Sequence, residues 1–85
     1  MDISAQNTFT PSVVVSRDRS FDILVAGSFA GTVTVQVSHD DTTWYDIKSY
    51  TVPTFETGDL GSTWYVRAGI KTGDYTSGTA TVEVV

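Results

Sequence analysis

The strongest constraint on the fold is a pair of alternating runs near the C-terminus, residues 64–70 and 79–84, with a turn-rich segment between them. Side chains two apart in a strand lie on the same face. The apolar side chains that share a face are Val66, Ala68 and Ile70 in the first run and Ala80, Val82 and Val84 in the second. Gly73 and Gly78 can supply the positive-φ positions of a turn. The pattern therefore predicts two strands paired as a hairpin.

Five further segments have strand character. Residues 32–38 alternate most regularly, which predicts Val33, Val35 and Val37 facing the core and Thr32, Thr34 and Gln36 facing solvent. Residues 44–52 follow a polar turn and are predicted to pair back on that strand. The other predicted strands are residues 8–16, 21–27 and 54–57. Pro11 places residues 8–16 at a sheet edge, because proline cannot donate to a ladder.

The fold class follows from these segments together. Threonine and valine are abundant, and no segment sustains the three-to-four spacing of a helix. Strands separated by turns every eight to twelve residues predict a single, small, antiparallel β-sandwich over residues 1–85, immunoglobulin-like or jelly-roll-like, with six to eight short strands. Residues 1–7 lack a strand pattern and are expected to form a flexible N-terminal arm. The apolar end of the last strand requires a central place in a sheet or a covering neighbour.

Composition narrows the function classes. Ten acidic residues against five basic ones give a net charge of −5, which repels phosphate backbones and anionic membranes and predicts neither as a partner. The chain has no cysteine, so disulfides, thiolate nucleophiles and cysteine-bound zinc are excluded. A chain of this length buries only a little over ~60% of its unfolded surface. We therefore expect a packed core without an enclosed active-site chamber.

The titratable residues do not form a recognisable catalytic or metal pattern. His39 is the only histidine, so a multi-histidine metal site is impossible, and a solvated turn residue is the simpler interpretation. The carboxylates that could act together are Asp40, Asp41 and Asp46 as calcium ligands, and Asp22, Glu56, Asp59 and Glu83 as glycosidase pairs. The first set lacks calcium-loop spacing, and the second is what any acidic chain offers by chance. We predict no enzyme activity, no metal and no cofactor.

The aromatic pairs Trp44-Tyr45 and Trp64-Tyr65 leave two interpretations open. Adjacent strand residues point to opposite faces, so one ring of each pair can enter the core. The favoured interpretation buries Trp44 and Tyr65 and leaves the other two rings under loops or at strand edges. In the alternative, outward rings align as a platform for sugars or proteins. The residues predicted to contact a partner are Phe9, Pro11, Trp44, Tyr45, Trp64, Val84 and Val85.

Residues 38–44, SHDDTTW, resemble a shortened Asp-box, the hairpin turn of sialidase-type propellers and other β proteins. The segment is one residue short and lacks the glycine of that motif. In proteins with an Asp-box the motif is a structural turn. The resemblance therefore implies a turn and gives no support to a glycosidase.

Three segments carry a broader resemblance: GSFAGTVTVQ at residues 27–36, WYVRAG at 64–69 and YTSGT at 75–79. Together with Thr43-Trp44 they are similar to small β-sandwich structural proteins of tailed bacteriophages, over residues 21–85. The resemblance implies a capsid decoration, or cement, protein that binds and stabilises the head shell. It further implies the major capsid protein or another virion protein as partner, a homo-oligomer on the particle, and a place on the virion surface after synthesis in the host bacterial cytoplasm. The alternative is a carbohydrate-binding or adhesion module of a head fibre or tail, with a glycan as ligand.

Overall fold

Two antiparallel sheets lie face to face in a computed structural model that describes residues 1–85. The strands are β1 (Asp2–Ile3), β2 (Thr8–Phe9), β3 (Val13–Val15), β4 (Ser20–Gly31), β5 (Val33–Ser38), β6 (Tyr45–Tyr50), β7 (Thr54–Asp59), β8 (Trp64–Ile70) and β9 (Tyr75–Val84). The four-stranded sheet has the order β1-β9-β4-β7. The five-stranded sheet has the order β2-β8-β5-β6. Its fifth strand, β3, also pairs directly with β8, at residues 64–66, whereas β2 pairs at residues 69–70. The prediction of a small all-β sandwich is confirmed, and no helix of the chain could cross a membrane.

The core is built from the faces that the alternation predicted. Its central side chains are Val33, Val35 and Val37 of β5, Val66, Ala68 and Ile70 of β8, and Ala80, Val82 and Val84 of β9, all at most 7% exposed. Phe21, Ile23 and Val25 of β4 complete the opposite wall. Removing this apolar surface from water is the main stabilising term for a chain without disulfides.

The predicted hairpin of residues 64–84 is wrong. β8 pairs with β5, β3 and β2, whereas β9 pairs with β4 and β1, so the two strands belong to different sheets. The turn at Lys71–Asp74 forms, with the Asp74 amide donating to the Lys71 carbonyl at 3.1 Å. The chain then crosses the sandwich. Alternation determines which face of a strand is apolar. It does not determine the partner, because two apolar strands bury their faces equally well when they pair in one sheet and when they face each other from two sheets.

The hairpin between β5 and β6 is confirmed. Its register shifts between Val35 and Gln36, which pair with Lys48 and Asp46 and leave Ile47 as the extra residue of a bulge. The expectation that the second face of β5 meets solvent is wrong for its central residues, because Thr34 and Gln36 are only 3% and 7% exposed. Side chains from β6 and β8 cover that face.

Pro11 interrupts the predicted edge strand of residues 8–16. β2 and β3 flank the break, and both pair with the outer side of β8. Thr10 bridges it, since its amide donates to the Ala68 carbonyl at 2.8 Å and its hydroxyl accepts from the Ala68 amide at 3.1 Å. The predicted place of residues 8–16 at a sheet edge is confirmed. At the break, the Thr10 hydroxyl accepts a hydrogen bond that a backbone carbonyl accepts in a regular strand pair.

The flexible N-terminal arm is also a wrong prediction for the first residues. β1 pairs with β9, in the register Asp2↔Thr81 and Ile3↔Ala80, and the Ile3 side chain is fully buried. β9 therefore lies between β1 and β4 around Ala80 and Thr81, whereas its apolar end pairs with β4 alone and leaves Val85 76% exposed. Two residues of β1 were too few to show alternation in the sequence.

We predict that Ile3→Ala lowers the free energy of unfolding by about 2–5 kcal/mol, because it leaves a cavity in the core. Chemical denaturation measures the change. Ser4→Ala, at the exposed residue that follows Ile3, is the control. Its free energy of unfolding should stay within about 0.5 kcal/mol of the wild-type value. Equal stabilities of the two variants would show that β1 does not belong to the folded core.

Candidate functional site

Arg67 is the centre of a cluster on the outer face of the five-stranded sheet. Its guanidinium carbon lies 4.0 Å from the ring centroid of Phe9 and 4.2 Å from that of Trp44. Both distances are within the range of cation–π attraction. Its Nε donates to Gln36 Oε1 at 2.9 Å. We call Phe9, Gln36, Trp44 and Arg67 the Arg67 cluster.

Strand register explains how these side chains meet. Val66 and Ala68 face the core, so Arg67 must face outward with Gly69. Phe9 pairs directly with Gly69, and a Cβ added to that glycine would lie 2.7 Å from the Phe9 ring. The missing side chain lets the Phe9 ring lie against β8 and reach Arg67. Gln36 is opposite Arg67 in the neighbouring strand.

A chain of polar contacts extends from the cluster toward β6. Gln36 Nε2 donates to Asp46 Oδ1 at 2.8 Å, and Lys71 Nζ donates to Asp46 Oδ2 at 2.6 Å. The hydrogen bond from Lys71, followed by that from Gln36, lowers the pKa of Asp46, and the same carboxylate raises the pKa of Lys71. Burial lowers the pKa of Arg67, whose guanidinium stays charged at neutral pH. The network fixes the guanidinium through Nε, and Arg67 has no ion pair.

The favoured interpretation of the aromatic pairs is wrong for Trp44 and Tyr65, the two rings that it placed in the core. Trp44 lies outside any strand and covers Arg67, and Tyr65 faces outward, paired with Ser38 and Val14. Trp64 has the parity of Val66, packs against the core and stacks on His39, with ring centroids 3.6 Å apart. Tyr45, 57% exposed at the end of β6, lies at a strand edge as expected.

Of the seven predicted contact residues, the structure brings together Phe9 and Trp44. Pro11 is exposed in the break that follows Phe9, and Val85 is 76% exposed. Val84 is 7% exposed and faces the core, so its side chain is not available to a partner in the folded protein. Sequence reasoning missed Arg67, although the alternation around Val66 already placed a lone arginine on the outer face.

The turn between β5 and β6 is organised by Asp40. Its Oδ1 accepts from the amides of Thr42 and Thr43, at 3.0 and 2.9 Å, and from the Ser38 hydroxyl at 2.8 Å. These hydrogen bonds, the one from Thr43 first, lower the pKa of Asp40 to about 2. The prediction of a turn-forming aspartate is confirmed for Asp40. No group of three or more histidine, cysteine or carboxylate side chains is placed to hold a metal ion.

Comparison with known proteins gives one match. A family model described as a domain of unknown function (DUF8696) matches residues 5–85. No curated protein and no solved structure matches the chain. All four members of the Arg67 cluster lie inside the matched region.

We predict that Arg67→Ala lowers the free energy of unfolding by about 1–3 kcal/mol, because it removes two cation–π contacts and a charged hydrogen bond. A double-mutant cycle with Phe9→Ala, measured by chemical denaturation, should give a coupling energy above about 0.5 kcal/mol. Arg17→Ala, in an exposed turn, is the control and should be neutral. Additive effects of the Arg67 and Phe9 substitutions would contradict the contact.

We predict that Asp40 makes stability depend on acid pH. Folding lowers its pKa from 3.8 to about 2, so the unfolded chain binds the proton more tightly. The contribution of Asp40 is therefore complete above about pH 4 and is lost as the pH falls through 2.

Asp40→Ala should lower Tm at pH 7 and flatten the dependence of Tm on pH between about 4 and 2, as followed by circular dichroism. Asp40→Asn keeps an acceptor oxygen, so it should retain part of the Tm and lose the same pH dependence. An alanine variant with the acid slope of the wild type would show that another carboxylate is responsible.

Proposed function

We propose that this chain, which belongs to the DUF8696 family of domains of unknown function, is a non-enzymatic structural protein of a tailed-phage virion. Its role is that of a capsid decoration protein, which binds the head shell through the outer face of its five-stranded sheet. The resemblance of residues 21–85 to small phage β-sandwich proteins supports the virion assignment. The Arg67 cluster supports the choice of face.

The chemistry of the Arg67 cluster suits a protein interface. Tryptophan and arginine are the residue types that most often dominate binding energy between proteins. Here both are held in place before a partner arrives, Arg67 by Gln36 and by two rings, so little side-chain entropy is lost on docking. Val14, 61% exposed, and Tyr65 pair across β3 and β8 on the same face and add apolar surface beside the cluster.

Size and charge agree with attachment to a larger assembly. The chain exposes 4706 Å², of which a standard interface of about 800 Å² per partner would cover roughly one sixth. Many copies on a regular shell would add avidity to contacts that are individually modest. Repulsion between chains of net charge −5 favours binding to the shell over association in solution.

The glycan alternative is less well supported by the positions of the rings. Trp44 covers Arg67 and Trp64 stacks on His39, so each tryptophan already has a partner on one face. A sugar platform needs flat, accessible rings. A glycan is therefore the less favoured ligand.

We predict that Val14→Asp and Trp44→Ala each reduce occupancy at least tenfold on phage heads that lack the protein. Val14→Asp places a charge in the docking face and Trp44→Ala removes a ring from it, so each variant loses apolar contact with the shell. Phe55→Asp is the matched control, because Phe55 is 65% exposed and pairs with Leu24 on the outer face of the other sheet. Co-sedimentation measures occupancy, and circular dichroism confirms that each variant is folded.

Equal occupancy of all three variants would exclude the five-stranded face as the docking surface. If the wild-type protein does not bind heads, the decoration role is wrong. Glycan-array binding that Trp44→Ala abolishes would then favour the adhesion alternative.

A further inference from the structure

The long side of the sandwich formed by β6 and β7 contains a groove. These strands end the two sheets, and each leaves one backbone edge unpaired. The space between them has a volume of about 170 Å³. Its apolar walls come from Phe21, Ile23, Val35, Ile47, Tyr50 and Leu60.

The groove exists because β6 and β7 place few large apolar side chains between the sheets. The β7 residues in register with the core positions of β4 are Thr54, Glu56 and Gly58, none of which is a large apolar residue. On β6, Lys48 is in register with the core residue Val35. Lys48 Nζ and the Glu56 carboxylate form an ion pair that links the two edges. Inward-pointing charges of this kind protect edges from uncontrolled pairing.

Exposed apolar side chains are concentrated in the part of the chain that contains β6 and β7. Of the seven large hydrophobic residues that are exposed, four lie in residues 45–55: Tyr45, Ile47, Val52 and Phe55, at 45–65% exposure. An open backbone edge beside apolar side chains is the arrangement that accepts an added strand. The free edge of β7 beside the groove has this arrangement.

We propose that this side binds an extended segment of a partner protein that pairs with the free edge of β7. Alternation sends every second side chain of this segment inward, and the central one of these would enter the groove. A cavity of about 150 Å³ can hold one benzene ring, so the inward side chain is a phenylalanine or a branched aliphatic residue. Asp59 also lines the groove and has no ion pair, so a lysine or arginine two residues from the apolar residue, on the same face of the segment, completes it.

A second copy of the chain fits this side less well. A six-residue strand is only about 20 Å long. Pairing two such strands buries too little surface to reach the roughly 800 Å² that each subunit of a stable dimer buries. Two chains of charge −5 also repel each other. The peptide site goes beyond the proposed decoration role and does not depend on it, because it lies away from the Arg67 cluster.

The test uses the full chain and a capped six-residue peptide of alternating threonine and valine, with one central phenylalanine and a lysine two residues after it. Amide NMR shifts should saturate with added peptide and be confined to residues 45–60. Backbone amides of β7 should exchange more slowly with deuterium. A peptide with serine in place of the phenylalanine should bind at least tenfold more weakly.

Two matched variants locate the site. Ile47→Asp places a charge in the groove and should abolish binding, whereas Val14→Asp, at an exposed valine of β3 on the other long side of the sandwich, should bind the peptide as the wild type does. Asp59→Asn should weaken the lysine peptide at least threefold and leave a glutamine-substituted peptide unchanged.

Absence of saturable binding, equal affinity for the serine peptide, or shifts at β2 and β3 would overturn the proposal. Head binding that survives Ile47→Asp would leave the decoration role intact. Peptide binding by a chain that fails to bind heads would leave the groove site intact while refuting that role.

Discussion

Burial of small, alternating side chains between the two sheets is the interaction on which the rest of the structure depends. β5 and β8 present valine, alanine and isoleucine from one side, and β4 and β9 present similar side chains from the other. The chain has no disulfide and no helix to supplement this core. Every feature of the outer surface, the Arg67 cluster included, is positioned by strands whose inner faces are fixed by this packing.

The sandwich is finished differently on its two long sides. Three short strands, β1, β2 and β3, cover the outer edges of β9 and β8. On the opposite side β6 and β7 have open edges, and one ion pair spans the gap between them. The covered side and the polar network around Arg67 give rigidity, whereas the open side keeps unpaired backbone groups accessible. Both proposed binding surfaces, the Arg67 cluster and the groove between β6 and β7, lie on the outside of the sandwich.

Alternation was enough to predict which face of each long strand is buried, since Val33, Val35, Val66 and Val82 all occupy their expected places. It could not predict partners, because β8 and β9 satisfy the same pattern from opposite sheets. It also failed where a segment is too short or irregular to show a period, as with Ile3 and Trp44. The candidate site was half predicted: Phe9 and Trp44 were named, but the arginine that both rings contact comes from β8, and its position beside them depends on tertiary register.

The pairing of β9 with both β1 and β4 has a consequence for folding. Ile3 pairs with Ala80, and Ile23 pairs with Val84, so the four-stranded sheet joins segments that are far apart in sequence. Contacts so distant in sequence place the domain among slow folders, on a scale of milliseconds to seconds. Until β9 docks, β4 lacks a partner on one flank and β1 has no partner at all, so a folding intermediate without β9 exposes backbone edges that can pair with another chain.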